Sequence, residues 1–194
     1  MKHLKILSPV SSFSELKILF KSGANEFYCG YSPDSWNYKY NKLKYNKCLP
    51  IALNKRENFQ ANIRDFNELK QMSEFAIRNN LTLFVALNNM SFPVQVYDFL
   101  YEYLQKLREI GIAGVIVSDI GLISFVKKEF PDFYIVLSCL NPPDNADSLD
   151  FFYDLGVNRI TFPQHPSLKS IIEISKKQEK LDYECFILEG RCVY

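Results

Sequence analysis

The side chains that most readily do chemistry in proteins, cysteine and histidine, are few in this sequence and irregularly spaced. There are five cysteines and two histidines. Neither a His-Glu-x-x-His helix, which would bind zinc, nor a Gly-x-Ser-x-Gly turn, which would present a nucleophile, occurs in the chain. An odd number of cysteines fits free or metal-bound thiols better than a disulfide scaffold. The sequence therefore contains no recognised motif for hydrolysis. An iron-sulfur cluster would need about four converging thiolates.

A second set of candidates consists of polar residues near the carboxyl ends of predicted strands. These residues are Ser8, Tyr28, Asn88, Asn89, Asp119, Ser138, Asn141, Gln164, His165, Glu189 and Cys192. In a barrel of parallel strands these ends meet at one rim, where substrates bind. The alternative is local: Asn88 and Asn89 form a turn, Asp119 caps a helix and Asn141 begins a rigid loop. The sequence leaves both interpretations open.

The elements that must position these residues alternate regularly along the chain. Strands are predicted at residues 5–10, 26–31, 81–87, 114–118, 133–138, 159–162 and 183–188. Helical patterns separate them, and the clearest repeats apolar residues between Val96 and Ile110 before Gly111 ends it. Alternation of this kind predicts a parallel α/β sheet. Residues 8–12 contain no glycine, which argues against a doubly wound dinucleotide fold and favours a TIM barrel.

The predicted fold is a TIM-barrel-like parallel β/α repeat that is incomplete after the seventh strand. A full barrel typically needs about 250 residues, whereas this sequence has 194. We therefore expect one domain over residues 1–194, truncated at its C-terminus. Because an unpaired strand edge promotes aggregation, a partner or a missing C-terminal segment should cover it.

Residues 32–64 show no sustained period and are predicted to be a long loop insertion. No acidic residue lies between Asp34 and Glu57, while lysines and tyrosines are frequent there. Lysine can contact phosphate and tyrosine can stack on unpaired bases, so this segment would suit RNA. The alternative is a solvated loop that reflects composition alone.

Composition places the chain among globular proteins, since 47% of residues are apolar, 23% are charged and the formal net charge is +1. The near-neutral charge argues against a surface that coats nucleic acid throughout. No apolar run approaches the roughly 20 residues of a membrane helix, and the N-terminus lacks a secretory signal. We expect a cytoplasmic protein without a membrane span.

An ordered series of short motifs resembles the collagenase-like peptidases, family U32. The series comprises Leu7-Ser8-Pro9, Gly23-Ala24, Phe27-Tyr28, Arg56 with Asn58-Phe59, Leu87-Asn88, residues 114–121, Leu137-Ser138, Asn145 and residues 155–160. The resemblance implies a TIM-like barrel that continues past this chain. It also favours ligand contacts by Arg56, Asn58, Asn88, Ser138 and Asn145. The chain departs from the family at Gln164, where arginine is usual.

Three functional hypotheses follow, and the sequence does not decide whether the chain is an enzyme. The family label implies a peptidase, for which Asp119 and Glu189 could activate a metal-bound water, with His165 as an imidazole base. Other members resemble iron-sulfur-dependent factors that hydroxylate transfer RNA, ribosomal RNA or a quinone. In that case Cys192 would be a metal ligand of a cluster completed by residues beyond this chain. The third hypothesis is a non-catalytic binding partner. The first two hypotheses leave both peptide and RNA as candidate substrates.

Overall fold

The computed structural model describes residues 4–40, 52–56, 59–143 and 145–188, and in them parallel strands alternate with helices. The strands are β1 (Leu7–Pro9), β2 (Glu26–Tyr31), β3 (Asn62–Ile63), β4 (Thr82–Leu87), β5 (Gly114–Val117), β6 (Tyr134–Leu137), β7 (Arg159–Thr161) and β8 (Asp182–Glu184). The α-helices are α1 (Phe13–Lys21), α2 (Asp34–Tyr40), α3 (Phe66–Arg78), α4 (Tyr97–Glu109), α5 (Ile120–Glu129), α6 (Ala146–Leu155) and α7 (Leu168–Ser175). Short 3-10 turns cover Phe59–Ala61 and Val94–Val96.

The strands follow one another across the sheet in the order β1-β2-β4-β5-β6-β7-β8, while β3 pairs with β2 off this path. Neighbouring strands are parallel. A steady order in one direction is the connectivity of a TIM barrel, because a doubly wound sheet reverses its order at a switch point. The sheet curls into an incomplete barrel, which confirms the predicted fold class. We refer to it as the half-barrel.

The two faces of the sheet carry different side chains. The outer face packs against the helices through fully buried apolar residues, such as Phe27, Val85 and Val115 on the strands and Leu69 and Leu104 on the helices. The inner face has a smaller cluster of Phe84, Ile116 and Val136, packed with Leu7, Tyr28 and Tyr134. Side chains alternate between faces along a strand, so this inner set lines the half-barrel.

One buried ion pair joins strands that are not neighbours in the sheet. Arg159, at the start of β7, donates to both carboxylate oxygens of Glu26, at the start of β2, over 2.7 and 3.1 Å. Strands β4, β5 and β6 stand between them, so a flat sheet would separate β2 and β7 by four strand spacings, about 19 Å. The contact therefore requires the sheet to curve. The Arg159 guanidinium also lies over the rings of Phe84 and Tyr134, 5.5 and 5.3 Å from their centroids.

The segment predicted as a loop insertion contains regular structure in the part that the structure describes. Helix α2 buries Trp36, whose ring centroid lies 4.4 Å from that of Tyr40 and 5.0 Å from that of Phe99 on α4. Burial of these rings stabilises a short helix that shows no extended sequence period. Strand β3 closes the segment by pairing with β2. Residues 41–51 and 57–58, which include most of the lysine- and tyrosine-rich run, lie outside the described residues.

Among the residues with described structure, no helix combines the length and apolar character needed to cross a membrane.

Candidate functional site at the mouth of the half-barrel

Polar groups from three strands meet at the carboxyl end of the sheet. The Asn88 amide, after β4, donates to the Ser138 hydroxyl, after β6, over 3.3 Å. The Ser118 hydroxyl, after β5, donates to the Asn88 carbonyl over 3.3 Å, and the Asn141 amide donates to the Ser118 carbonyl over 3.1 Å. The structure thus brings the predicted ligand contacts Asn88 and Ser138 together. These bonds link the strand ends into a rim, which we call the mouth.

A third predicted contact, Arg56, is held above the mouth by three hydrogen bonds. Its backbone N–H donates to the Asn54 side chain over 2.9 Å, and its carbonyl accepts from the Asn62 amide over 2.7 Å. Its side-chain Nε donates to the Ala61 carbonyl over 2.9 Å. Backbone and side chain of Arg56 are therefore both restrained.

The loop that carries Arg56 is tied to the rim and seated directly on β2. The Lys55 N–H donates to the Asn88 side-chain oxygen over 3.0 Å, and the Asn54 amide donates to the Asn62 side-chain oxygen over 2.8 Å. This asparagine pair lies against Gly30, where an added Cβ would stand 2.1 Å from the Asn62 oxygen. Only a residue without a side chain allows so close an approach.

Tyr28 lies beneath Arg56 on the inner face, with the guanidinium carbon 5.4 Å from the centre of its ring. Burial raises the pKa of the Tyr28 hydroxyl, against the opposing effect of the positive charge of Arg56. The negative charge of Glu184 raises it further. Tyr28 is therefore a neutral phenol at physiological pH and presents its ring to a cation.

Glu184, at the end of β8, completes the inner wall and was not among the predicted site residues. Its carboxylate accepts from Thr161 over 3.3 Å and from Arg159 over 3.4 Å. Burial raises the pKa of Glu184, although Arg159 and Thr161 oppose the shift. A partly buried carboxyl with a raised pKa is a common feature of functional sites. The available signal was its two-residue spacing from Asp182, which places two acids on one face of a strand.

Two further predicted residues serve as helix N-caps in this structure. Asp119 accepts from the Leu122 N–H over 2.8 Å at the start of α5 and from the Phe92 N–H over 2.7 Å. Asn145 accepts from the Ser148 N–H over 2.9 Å at the start of α6. The position of Asp119 agrees with the local interpretation of that residue, whereas the cap formed by Asn145 was not among the local alternatives. A catalytic role for Asp119 and a ligand contact by Asn145 stay predictions.

The predicted imidazole base lies in the described part of the chain, whereas three other predicted site residues do not. His165 is exposed in the loop between β7 and α7. Asn58, Glu189 and Cys192 lie outside the described residues, so the structure says nothing about the predicted Asp119–Glu189 pair.

The described cysteines do not fit an iron-sulfur cluster. Cys29 is buried in β2, and burial raises the pKa of its thiol to about 12. Cys139, which follows β6, is partly buried, and Cys185, which follows β8, is exposed. In the part of the chain with described structure, no three histidine, cysteine or acidic residues are placed to hold a metal ion. Cys48 and Cys192 lie outside that part.

Fold and mouth together define a TIM-type α/β half-barrel whose polar residues gather at the carboxyl ends of parallel strands. The family model for peptidase family U32 matches residues 11–194, and the chain belongs to this family.

Curated relatives align along nearly the whole chain. The tRNA hydroxylation protein P of Helicobacter pylori strain 26695 is 28% identical over 200 residues, which cover 100% of this chain and 42% of that protein. The Escherichia coli K12 protein of the same name is 24% identical, covering 97% and 37%. The tRNA hydroxylation protein P1 of Bacillus subtilis strain 168 is 25% identical, covering 99% and 42%. The chain spans less than half the length of these relatives.

Solved structures support the fold alone. The U32 peptidase Mk0906 superposes with a TM-score of 0.64 at 16% identity, covering 95% of this chain and 68% of that one. A glycerophosphodiester phosphodiesterase from Parabacteroides distasonis superposes with a TM-score of 0.60 at 13% identity, covering 96% and 84%.

Proposed function

We propose that this chain takes part in tRNA hydroxylation and that its mouth contacts the RNA or a small co-substrate of the reaction. The observation that carries this proposal is the alignment of three proteins named for tRNA hydroxylation over 97%, 99% and 100% of the chain. A protein of this kind would act in the cytoplasm, where tRNA is modified.

The chemistry of the mouth is compatible with such a ligand. Arg56 supplies a positive charge, and Tyr28 supplies an aromatic ring on the inner face. Cations bind phosphates and aromatic rings stack on unpaired bases, so these residue types suit a nucleotide. Glu184, with its raised pKa, adds a group that could exchange a proton with a bound substrate.

The peptidase activity implied by the family label has less support. Peptide hydrolysis needs an activated nucleophile or metal-bound water next to an oxyanion stabiliser. In the described residues His165 is exposed, Asp119 is used as a helix cap and no metal-binding group occurs. We therefore favour RNA hydroxylation over proteolysis.

Deletion of the gene in its own host tests the proposal. Total tRNA would be digested to nucleosides and analysed by mass spectrometry. We expect the loss of a nucleoside that is heavier by one oxygen atom than its parent, and restoration by the wild-type gene. Arg56→Ala should fail to restore it, whereas the matched surface variant Arg108→Ala should succeed.

An unchanged nucleoside profile after deletion would contradict the proposal. Cleavage of denatured collagen or peptides by the purified full-length protein, lost in Asp119→Ala, would favour the peptidase hypothesis instead.

A further inference from the structure

We propose that Arg56 and Tyr28 form a binding site for an oxyanion, the carboxylate or phosphate group of a ligand that enters the mouth. This inference deepens the proposed function, since it names the group that the mouth recognises, but direct binding can test it separately.

The first argument is that Arg56 is already ordered. An arginine side chain on a mobile loop loses rotamer entropy when a ligand fixes it. Here the Ala61 carbonyl holds Nε, and the Tyr28 ring lies beneath the guanidinium. The Arg56 side chain therefore loses much of its rotamer entropy when the protein folds and loses little more when a ligand binds. Such preorganisation strengthens binding.

The second argument is that the loop carrying Arg56 packs closely against the sheet. The side chains of Asn54 and Asn62 bond to each other over 2.8 Å directly above Gly30. A methyl group at position 30 would overlap the Asn62 oxygen, at 2.1 Å. The same two asparagines bond to the backbone of Arg56, so the glycine fixes the height of Arg56 above the strand.

The third argument concerns charge. Arg159 forms ion pairs with Glu26 and Glu184 inside the half-barrel. Among the residues with described positions, Arg56 has no such acidic partner, and its aromatic neighbour Tyr28 is neutral. With Nε bonded to Ala61, the terminal N–H groups, one of which also lies within reach of the Tyr28 hydroxyl, form a planar fork that matches carboxylate or phosphate in two parallel hydrogen bonds. The negative charge of Glu184 also acts on Tyr28 and would oppose the binding of an anion. Its carboxylate, however, already accepts hydrogen bonds from Arg159 and Thr161.

The test is a titration of the full-length protein with inorganic phosphate, compared with sodium chloride at equal ionic strength and followed by calorimetry or NMR shifts. We expect phosphate-specific binding to wild type and at least about tenfold weaker binding to Arg56→Ala, the usual effect of losing a charged hydrogen bond. Arg56→Lys keeps the charge but not the fork, so it should bind with intermediate affinity. Arg108→Ala, a change at an exposed arginine of α4, should bind like wild type.

Two outcomes overturn the proposal: wild type that shows no phosphate-specific binding, or Arg56→Ala and Arg56→Lys proteins that remain folded and bind phosphate as tightly as wild type.

Competition then identifies the source of the oxyanion. Displacement of phosphate by a short single-stranded RNA, in wild type but not in Arg56→Ala, would assign the site to a nucleic-acid phosphate. Displacement by malonate but not by RNA would assign it to the carboxylate of a small ligand, and both results support the site. Arg56-dependent phosphate binding together with unchanged tRNA nucleosides after gene deletion would reject the proposed function alone. Absent binding with lost nucleosides would reject this site alone.

Discussion

Replacing Glu26 with glutamine should destabilise the fold by about 3 kcal/mol, the lower end of the range for breaking a buried ion pair. Glu26 is 1% exposed and Arg159 is 7% exposed, so the variant leaves a guanidinium in the interior. Glu184, 3.4 Å from the same guanidinium, offers partial compensation and sets the estimate at the lower end. Lys5 also bonds to Glu26 but is half exposed, so its loss adds little.

The free energy of unfolding would be measured by urea denaturation with a common slope for both proteins. Asp132→Asn provides the matched control, because it removes one acid from the exposed Arg108–Asp132 pair and should cost under about 1 kcal/mol. If Glu26→Gln costs no more than Asp132→Asn, the buried ion pair does not stabilise the fold, and the reasoning from its burial is refuted.

The same variant has a predictable pH dependence. Burial opposes ionisation of Glu26, but hydrogen bonds and positive charge from Arg159 and Lys5 hold its pKa below the usual 4.5. A carboxyl with a lowered pKa in the fold contributes stability above its unfolded value, and that contribution is lost as the pH falls through the folded value. The difference between wild type and Glu26→Gln should therefore shrink progressively below pH 4.5.

Three further changes and one control variant test other parts of the structure. Gly30→Ala should destabilise the protein by about 1–3 kcal/mol through its clash with Asn62 and should weaken phosphate binding. Gly156→Ala, strained at its φ of 102°, should destabilise it but leave phosphate binding unchanged. Asp119→Ala should cost about 1–2 kcal/mol in urea unfolding as a lost N-cap; no measurable cost would contradict the capping role. Burial raises the pKa of Glu184, so its ionised form disfavours folding at neutral pH. Glu184→Gln should therefore unfold at higher urea than wild type at pH 7, and the gain should vanish below pH 4.5; a gain that persists in acid would contradict this sign.

Local features of the fold were predictable because their causes lie within a few residues. Ser12 and Ser167 cap α1 and α7 by accepting from the backbone N–H groups of Glu15 and Ser170, as serine commonly does at the start of a helix. Gly111 and Gly156 follow helices with φ values of 80° and 102°, a conformation that other residues adopt at a cost. The strand predicted at residues 26–31 is found with the same bounds.

Other features depend on what packs against a segment and were predicted less well. The seventh strand was expected over residues 183–188, yet β8 ends at Glu184, and Ile187 and Leu188 are 83% and 89% exposed. An apolar run indicates a strand, but pairing also needs a neighbouring backbone. In the opposite sense, α2 lacks a sequence period and forms because Trp36 is buried beside Phe99.

By itself, the sequence determined the alternation of strands and helices, the caps that delimit the helices and the family resemblance. Periodicity, capping and turn geometry act over one or two helical turns and can be read along the chain. Only the tertiary structure decided that Glu26 meets Arg159, 133 residues away, that Arg56 lies over Tyr28 and that Glu184 faces the interior. Those contacts depend on the curvature of the sheet, a collective result of packing that no local pattern encodes.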